Sequence, residues 1–358
     1  MTTQQVDVVI IGAGLAGTTL AWQLRKLGVT FAIIDDGRLG ASHVAAGLIT
    51  PVTGKALRVQ PDYARLLRSA QHLYRHVEQT TGCPLLDVQT TVRHLTDAKS
   101  QSVWQQRGAL GIAYADATPA GANDEQSLRV PSLTLRCTYR LNVPQYLAAS
   151  RAVWQAMGAY RRGAPNDAQI AQALAKPEHG LHCADGRIAA KYIVCCRGAF
   201  DRHSPWFNGL RWRCAKGDLL QIQSEQPFAP IRVHASGLWL CPTASHSAML
   251  GATYSWDVLN NAPDADAQRF LLDKAPALTA NPITVTQHLA GVRPIVGGRE
   301  PVIGSVPDQP NLLLCNGLGS KGSLLAPQVT GQLARYLARG TPIAAQFSLQ
   351  QRLAGLAA

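Results

Sequence analysis

Three glycines, Gly12, Gly14 and Gly17, stand in the spacing G-x-G-x-x-G, and a carboxylate, Asp35, follows 23 residues after the first. That set suits one task, holding the diphosphate and ribose of a dinucleotide. Gly12 allows the tight turn, Gly14 lets a diphosphate approach the backbone, and Gly17 lets a helix close on a strand. Ala13, Leu15 and Ala16 complete the turn, and the helix they open presents free N–H groups to phosphate. Asp35 is placed to accept hydrogen bonds from ribose hydroxyls. The elements needed around these residues are present. Val6, Val8, Val9, Ile10 and Ile11 read as a strand, Ala21, Leu24 and Leu27 as a helix broken at Gly28, and Phe31-Ala32-Ile33-Ile34 as a second strand. A chance glycine turn would not bring the two strands, the helix and the acid with it.

A second glycine turn lies near the other end. Asn311-Leu312-Leu313-Leu314-Cys315 reads as a short strand, followed by Asn316-Gly317-Leu318-Gly319-Ser320-Lys321-Gly322-Ser323 and a helix over about 326–339, stopped by Gly340. Two further stretches fit a flat ligand. After Asp35-Asp36 comes a loop of small residues that includes Ser42, His43, Ala45, Ala46 and Gly47, which would let such a ligand lie against the backbone. Tyr192-Ile193-Val194-Cys195-Cys196 suits a central parallel strand running into Arg197-Gly198.

With 358 residues, the chain exceeds what one core usually holds, so two domains are expected. At 46% hydrophobic it should fold as a soluble globular protein. No apolar run reaches the roughly 20 residues of a membrane span. No secretion signal precedes the first strand, and the eight cysteines form no C-x-x-C. A reduced cytoplasm is the expected location. The net charge of +12 is clustered: six arginines and no acid occur over 126–166, and seven basic residues against one acid over 187–216. Such surfaces attract nucleic acid, nucleotide or acidic metabolites; a solvated basic face is the plainer reading.

Residues 62–80 read as an amphipathic helix that Asp62 can cap, with Leu66, Leu67, Ala70, Leu73, Tyr74 and Val77 on its apolar face. His72 and His76, four apart on its basic side, lack a third ligand nearby, and no metal site is expected. Residues 85–143 read as strand-rich, with a loop over 113–125. Pro144 opens a helix that Gly158 closes, 218–256 is again strand-rich, and 263–281 has the polarity of a helix and its loop.

The order of these motifs resembles the D-amino-acid oxidase superfamily of FAD-dependent oxidoreductases, especially its glycine-oxidase-like branch. The likeness runs through GAGLAG with Asp35, Ser42-His43-Val44-Ala45-Ala46-Gly47, Cys196-Arg197-Gly198-Ala199, Gly251-Ala252-Thr253, Gly291-Val292-Arg293-Pro294, and Gly317–Gly322 with Ala326-Pro327. The resemblance implies bound FAD and oxidation of the C–N bond of an amino acid or N-substituted glycine by hydride transfer to flavin N5. It implies that Arg293 forks onto the substrate carboxylate and that Lys321 adds positive charge near the flavin. The cofactor contacts would come from Gly12–Gly17, Asp35, Asp36, Ser42, His43, Ala45, Ala46, Gly47, Arg197, Gly198 and Gly317–Gly322. Glycine oxidases carry an arginine where Ser320 stands, and Thr243 replaces the arginine of the family's Y-x-x-P-R. Tyr254 and Trp239 could wall the substrate site.

The closing G-L-G-S-K-G run with A-P is closer to the FAD domain of the bifunctional enzyme that trims carboxymethylaminomethyl-uridine at the tRNA wobble position. A stand-alone tRNA-directed oxidoreductase is therefore an alternative, with tRNA as a partner, and so is a flavin-bearing binding protein without turnover. The expected fold is α/β: a Rossmann-like FAD-binding domain on a parallel sheet (1–60, 144–205 and 290–358), interleaved with an α+β substrate domain on an antiparallel or mixed sheet (61–143 and 206–289).

Overall fold

A computed structural model of the chain describes residues 3–54, 57–108, 113–118, 131–228, 232–235, 238–298 and 300–357. Val8 and Ile10 face one side of the first strand, Thr3–Ile11, and Val9 and Ile11 the other, and all four are buried. A strand apolar on both faces belongs inside a parallel sheet covered twice. Thr3–Ile11 accordingly pairs in parallel with Phe31–Asp35 on one side and Gly186–Cys195 on the other. Tyr160–Arg162 and Gln309–Asn316 extend the parallel sheet outward, and Val302–Val306 and Leu181–Cys183 add antiparallel pairs. Helices Leu15–Lys26, Tyr63–Thr81 and Gly322–Arg339 bury Trp22, Leu24, Tyr74, Val329 and Leu333 on the face of Val8 and Ile10. Phe207, Leu349 and Ile170 close the face of Val9 and Ile11. Each such side chain contributes about 1.5–3 kcal/mol on burial.

The second sheet is mixed and mainly antiparallel. Its order runs Thr284–Arg293, Ala215–Gln223, Ser247–Gly251, Trp239–Ala244, Arg232–Ala235, Leu86–His94, Ser132–Leu141 and Leu48–Ile49. Among the described strands of this sheet, only the pairing of Arg232–Ala235 with Leu86–His94 is parallel. This is the expected α/β architecture, a parallel sheet beside a mixed one. No described helix is long and apolar enough to cross a membrane, and all eight cysteines are free.

Three local expectations change. The stretch 113–125 is not all loop: Ala115–Thr118 pairs antiparallel with Ser132–Leu141, setting Ala115 against Leu135 and Ala117 against Leu133. Residues 119–125 lie outside the described residues. Asp62 does not cap its helix. It sits at φ +54 with no side-chain bond to the first amides, and its carboxylate pairs with Arg65 at 2.8 Å. The last long helix begins at Gly322, ahead of the expected 326, and carries Pro327 inside it. Proline cannot donate to the carbonyl four residues back, and that carbonyl, of Ser323, accepts the Tyr74 hydroxyl at 2.9 Å instead. Asn142 caps the helix that Pro144 opens, and Gly158 follows its end at φ +64.

Candidate active site

The two sheets meet at a cavity of about 960 Å³. Ile11-Gly12, Ile34-Asp35, Cys196 and Asn316, at the carboxyl ends of the parallel strands, line one side; Gly217, Leu219, Trp239, Gly291 and Arg293 line the other. Ligands of open α/β sheets bind at such strand ends, where the strand order reverses.

The glycine turn is tight for reasons of contact. Gly12 sits at φ +107, and a Cβ there would lie 2.6 Å from the Cys196 carbonyl oxygen. A Cβ on Gly17 would lie 2.0 Å from the Gly12 carbonyl oxygen. Asp35 is already engaged. Its carboxylate accepts the Ala13 N–H at 2.9 Å, the Gly37 N–H at 2.9 Å and the Tyr160 hydroxyl at 3.0 Å, clamping the turn to the second strand. Ser42 accepts the Leu15 N–H at 3.0 Å, which pins the small-residue loop over the helix N-terminus. In that loop His43 Nδ1 accepts the Gly40 N–H at 3.1 Å. Burial lowers the imidazole pKa from its usual value, in keeping with the neutral ring that this bond requires. Arg197 spans Asp201 at 2.7 Å and Asp167 at 2.8 Å. Asp201 is fully buried, and burial raises its pKa although Arg197 and Asn316 oppose the shift.

At the other end, Arg293 enters from the Thr284–Arg293 strand. Its Nη1 donates to the carbonyls of Thr253 at 3.2 Å and Lys216 at 3.4 Å, and its Cζ lies 4.3 Å above the Tyr254 ring. No carboxylate among the described residues reaches it, so Nε and Nη2 have no acceptor there. Burial lowers its pKa, with Tyr254 and Asp218 opposing; a guanidinium stays charged regardless. Gly217 makes room for it: a Cβ at 217 would fall 2.1 Å from Nη2 and 2.3 Å from Nη1. Gly217→Ala should therefore displace the guanidinium by about an ångström and cost on the order of 10²-fold in kcat/KM for a carboxylate substrate. Flavin content should not change, and absorbance plus steady-state kinetics checks both.

Of the residues expected to meet the cofactor, Gly12, Gly14, Leu15, Ala16, Asp35, Asp36, Ser42, His43, Ala45, Ala46, Gly47, Arg197, Gly198, Leu318, Gly319, Ser320 and Gly322 line the cavity. Ala13, Gly17, Gly317 and Lys321 do not. Ala13 and Gly17 shape the turn from behind, Gly317 takes the positive φ (+78) that ends its strand, and the Lys321 ammonium donates to Gln60 Oε1 at 2.7 Å. Tyr254 and Trp239 both line the cavity. His72 lies 2.6 Å from Lys26 Nζ. Three features were not singled out from the sequence. Gly217 is one, although a glycine inside a strand signals close approach. Asn316 is another: it is buried, donates to Gly198 O and Asp201, and accepts the Gly317 N–H. The third is Arg38, stacked 4.5 Å over Phe200 at the cavity edge, a contact between residues far apart in the chain.

The cavity joins a helix N-terminus, a carboxylate-clamped glycine turn and a small-residue loop to a distant arginine, which fits an extended dinucleotide better than a compact ligand. Comparison with known proteins agrees. The D-amino-acid-oxidase-type (DAO) family profile, described as FAD dependent oxidoreductase, matches residues 7–337. A glycine oxidase from Pseudomonas putida is 25% identical over 94% of this chain and 96% of its own. A tRNA 5-methylaminomethyl-2-thiouridine biosynthesis bifunctional protein from Polaromonas sp. is 25% identical over 98% of this chain but only 59% of its own length. The crystal structure of iminodiacetate oxidase from Chelativorans sp. BNC1 superposes with a TM-score of 0.77 at 21% identity, covering 95% of this chain and 98% of that one. Because the profile spans both glycine turns, the arginine strand and the cavity between them, the chain belongs to the DAO family of FAD-dependent oxidoreductases.

Proposed function

We propose that the protein oxidises an amine bearing a carboxylate on the adjacent carbon, an amino acid or an N-substituted glycine, at the carbon between the two groups. One observation carries this reading: Arg293 presents an unpaired fork of N–H donors to the cavity that holds the cofactor end of the glycine turns. A planar guanidinium whose Nε–Nη2 edge is free, with Nη1 held by the Thr253 and Lys216 carbonyls, matches a carboxylate in bidentate fashion.

Gly12, Gly14, Leu15, Ala16, the loop Ser42–Gly47, and Leu318, Gly319, Ser320 and Gly322 would hold FAD. When bound, it supplies two-electron oxidation of a C–H beside nitrogen. The chain's own residues bind and orient. Arg293 fixes the carboxylate, and the Tyr254 ring and two backbone carbonyls keep the guanidinium in place. Leu219 and Trp239 give the wall an apolar surface that excludes water. The substrate carbon loses its hydrogen with a pair of electrons and the nitrogen loses a proton, leaving an imine. Water then cleaves the imine to a 2-oxo acid and an amine. Orientation carries most of the rate, and no general base is assigned. Lys321, tied to Gln60, contributes positive charge from the loop without touching substrate.

A second reading places the amine on a modified tRNA uridine. It draws on the likeness to the tRNA-modifying bifunctional protein and on the exposed basic residues Arg25, Lys26, Arg68 and Arg75. One anaerobic experiment separates the two. Under the first reading, sarcosine, glycine or a related amino acid bleaches the flavin, and the decarboxylated counterparts do not. Bleaching by carboxymethylaminomethyl-modified tRNA alone would favour the second. Bleaching by decarboxylated amines would sink both.

A further inference from the structure

Tyr254 and Trp256 project from the same side of one extended segment. Ser255 between them is held in an antiparallel bridge to Lys216, with backbone bonds of 2.8 and 3.0 Å, and side chains two apart on such a segment share a face. The result is a stacked column. The Arg293 guanidinium lies 4.3 Å from the Tyr254 ring, and that ring lies 5.7 Å from Trp256 at an interplanar angle of 40°. Exposure rises along it, from partly buried Arg293 to Tyr254 at 46% and Trp256 at 61%. The column is anchored: the Tyr254 hydroxyl is hydrogen-bonded to Ser320 on the opposite glycine loop. Lys216, which backs it from the neighbouring strand, donates to Asn260 Oδ1 at 3.1 Å.

Two large aromatic rings left partly in water, Tyr254 lining the cavity and Trp256 packed beside it outside the lining, are a cost unless a ligand covers them. Tyr and Trp suit such contacts because their rings are rigid and lose little entropy on binding. We propose that Tyr254 and Trp256 form an outer subsite for a planar aromatic or heteroaromatic substituent on the substrate nitrogen. This rests on the reading of Arg293 as the carboxylate site, and it narrows the substrate class to arylmethyl-type N-substituted glycines. The carboxylate sits at the buried foot of the column, and the substituent runs outward against the exposed rings. An unsubstituted amino acid would leave them bare.

The holoenzyme is assayed with sarcosine, N-benzylglycine and N-(cyclohexylmethyl)glycine. N-benzylglycine should have the highest kcat/KM. Trp256→Ala should lower its advantage over sarcosine about tenfold, and Trp256→Phe should restore most of it. Because Trp256 is largely exposed, the alanine variant should fold; the flavin spectrum checks this. A cyclohexylmethyl substrate equal to the benzyl one would overturn the planar subsite, as would equal losses for sarcosine and N-benzylglycine in Trp256→Ala. A second measurement does not need turnover. Benzyloxyacetate should bind the holoenzyme about tenfold tighter than methoxyacetate by titration of the flavin spectrum, and Trp256→Ala should remove the difference. If no amine is oxidised but this difference stands, the reaction assigned to the site is wrong and the subsite survives. Equal binding of the two acids, with turnover intact, overturns the subsite alone.

Discussion

Arg293→Met should lower kcat/KM for a carboxylate-bearing amine by roughly 10²–10⁴-fold while the protein stays yellow. Truncating one partner of a hydrogen-bonded charge pair in a desolvated site costs about 2–5 kcal/mol, partly because the other charge is left unpaired. The guanidinium lies within a cavity wall, stacked on Tyr254 and held by two backbone carbonyls. Methionine keeps most of the volume and none of the donors. Arg293→Lys should recover little, since an ammonium supplies a point charge without the fork. Among the described residues Arg293 hydrogen-bonds to the carbonyls of Thr253 and Lys216 and not to the glycine turns, so flavin content and melting temperature should stay close to the parent. Flavin absorbance, thermal melting and steady-state kinetics on the same preparations check all three. An Arg293→Met enzyme with unchanged kcat/KM for sarcosine would remove the carboxylate assignment.

Gly12→Ala should give a protein that no longer retains FAD or fails to accumulate in soluble form. The residue sits at φ +107, which an alanine adopts only under strain, and its Cβ would come 2.6 Å from the backbone oxygen of Cys196. Neither atom is the end of a flexible side chain. Relief would require the parallel strands Thr3–Ile11 and Gly186–Cys195 to part at the end of their ladder, where Ile11 pairs with Cys195. Loss of both strand pairing and turn geometry should exceed about 3 kcal/mol, at the upper end of single-substitution effects. Gly28→Ala is a matched control. It also has positive φ (+71), but nothing lies within 4 Å of its Cβ position; it should lose stability and keep the flavin. Equal flavin retention in Gly12→Ala and the parent would show that the turn does not bind the cofactor as described.

The two ends of the site differ in how far they could be read from the chain. The unit from Val6 to Asp35 was legible because everything it needs is local: strand, turn, helix and second strand follow within one stretch, and each glycine has its own steric reason. The second glycine turn was legible for the same cause, although its helix starts sooner because Tyr74 takes the carbonyl that Pro327 cannot serve. Arg293 came from motif resemblance. What lets it work was not legible. Gly217 lies opposite Gly291 across an antiparallel pair formed by residues more than seventy apart, and nothing local to 217 announces an arginine in the space its missing side chain leaves. The same holds for Tyr254 and Ser320, joined across the cavity mouth from distant segments. The Ala115–Thr118 strand was hidden by small residues, whose pairing depends on Leu133 and Leu135 across the ladder. The Asp62 cap failed because the backbone there enters the helix from the left-handed region, where its carboxylate meets Arg65 rather than the first amides.

The proposed function couples a carboxylate-holding arginine to flavin chemistry at the adjacent carbon. The most direct test is a single anaerobic turnover of the holoenzyme with an N-substituted glycine, following flavin bleaching and the released products together. One equivalent each of glyoxylate and of the freed amine should appear per flavin reduced, with Arg293→Met slowing the bleaching. Flavin that stays oxidised with every carboxylate-bearing amine, or that bleaches as fast with the decarboxylated amine, would contradict it.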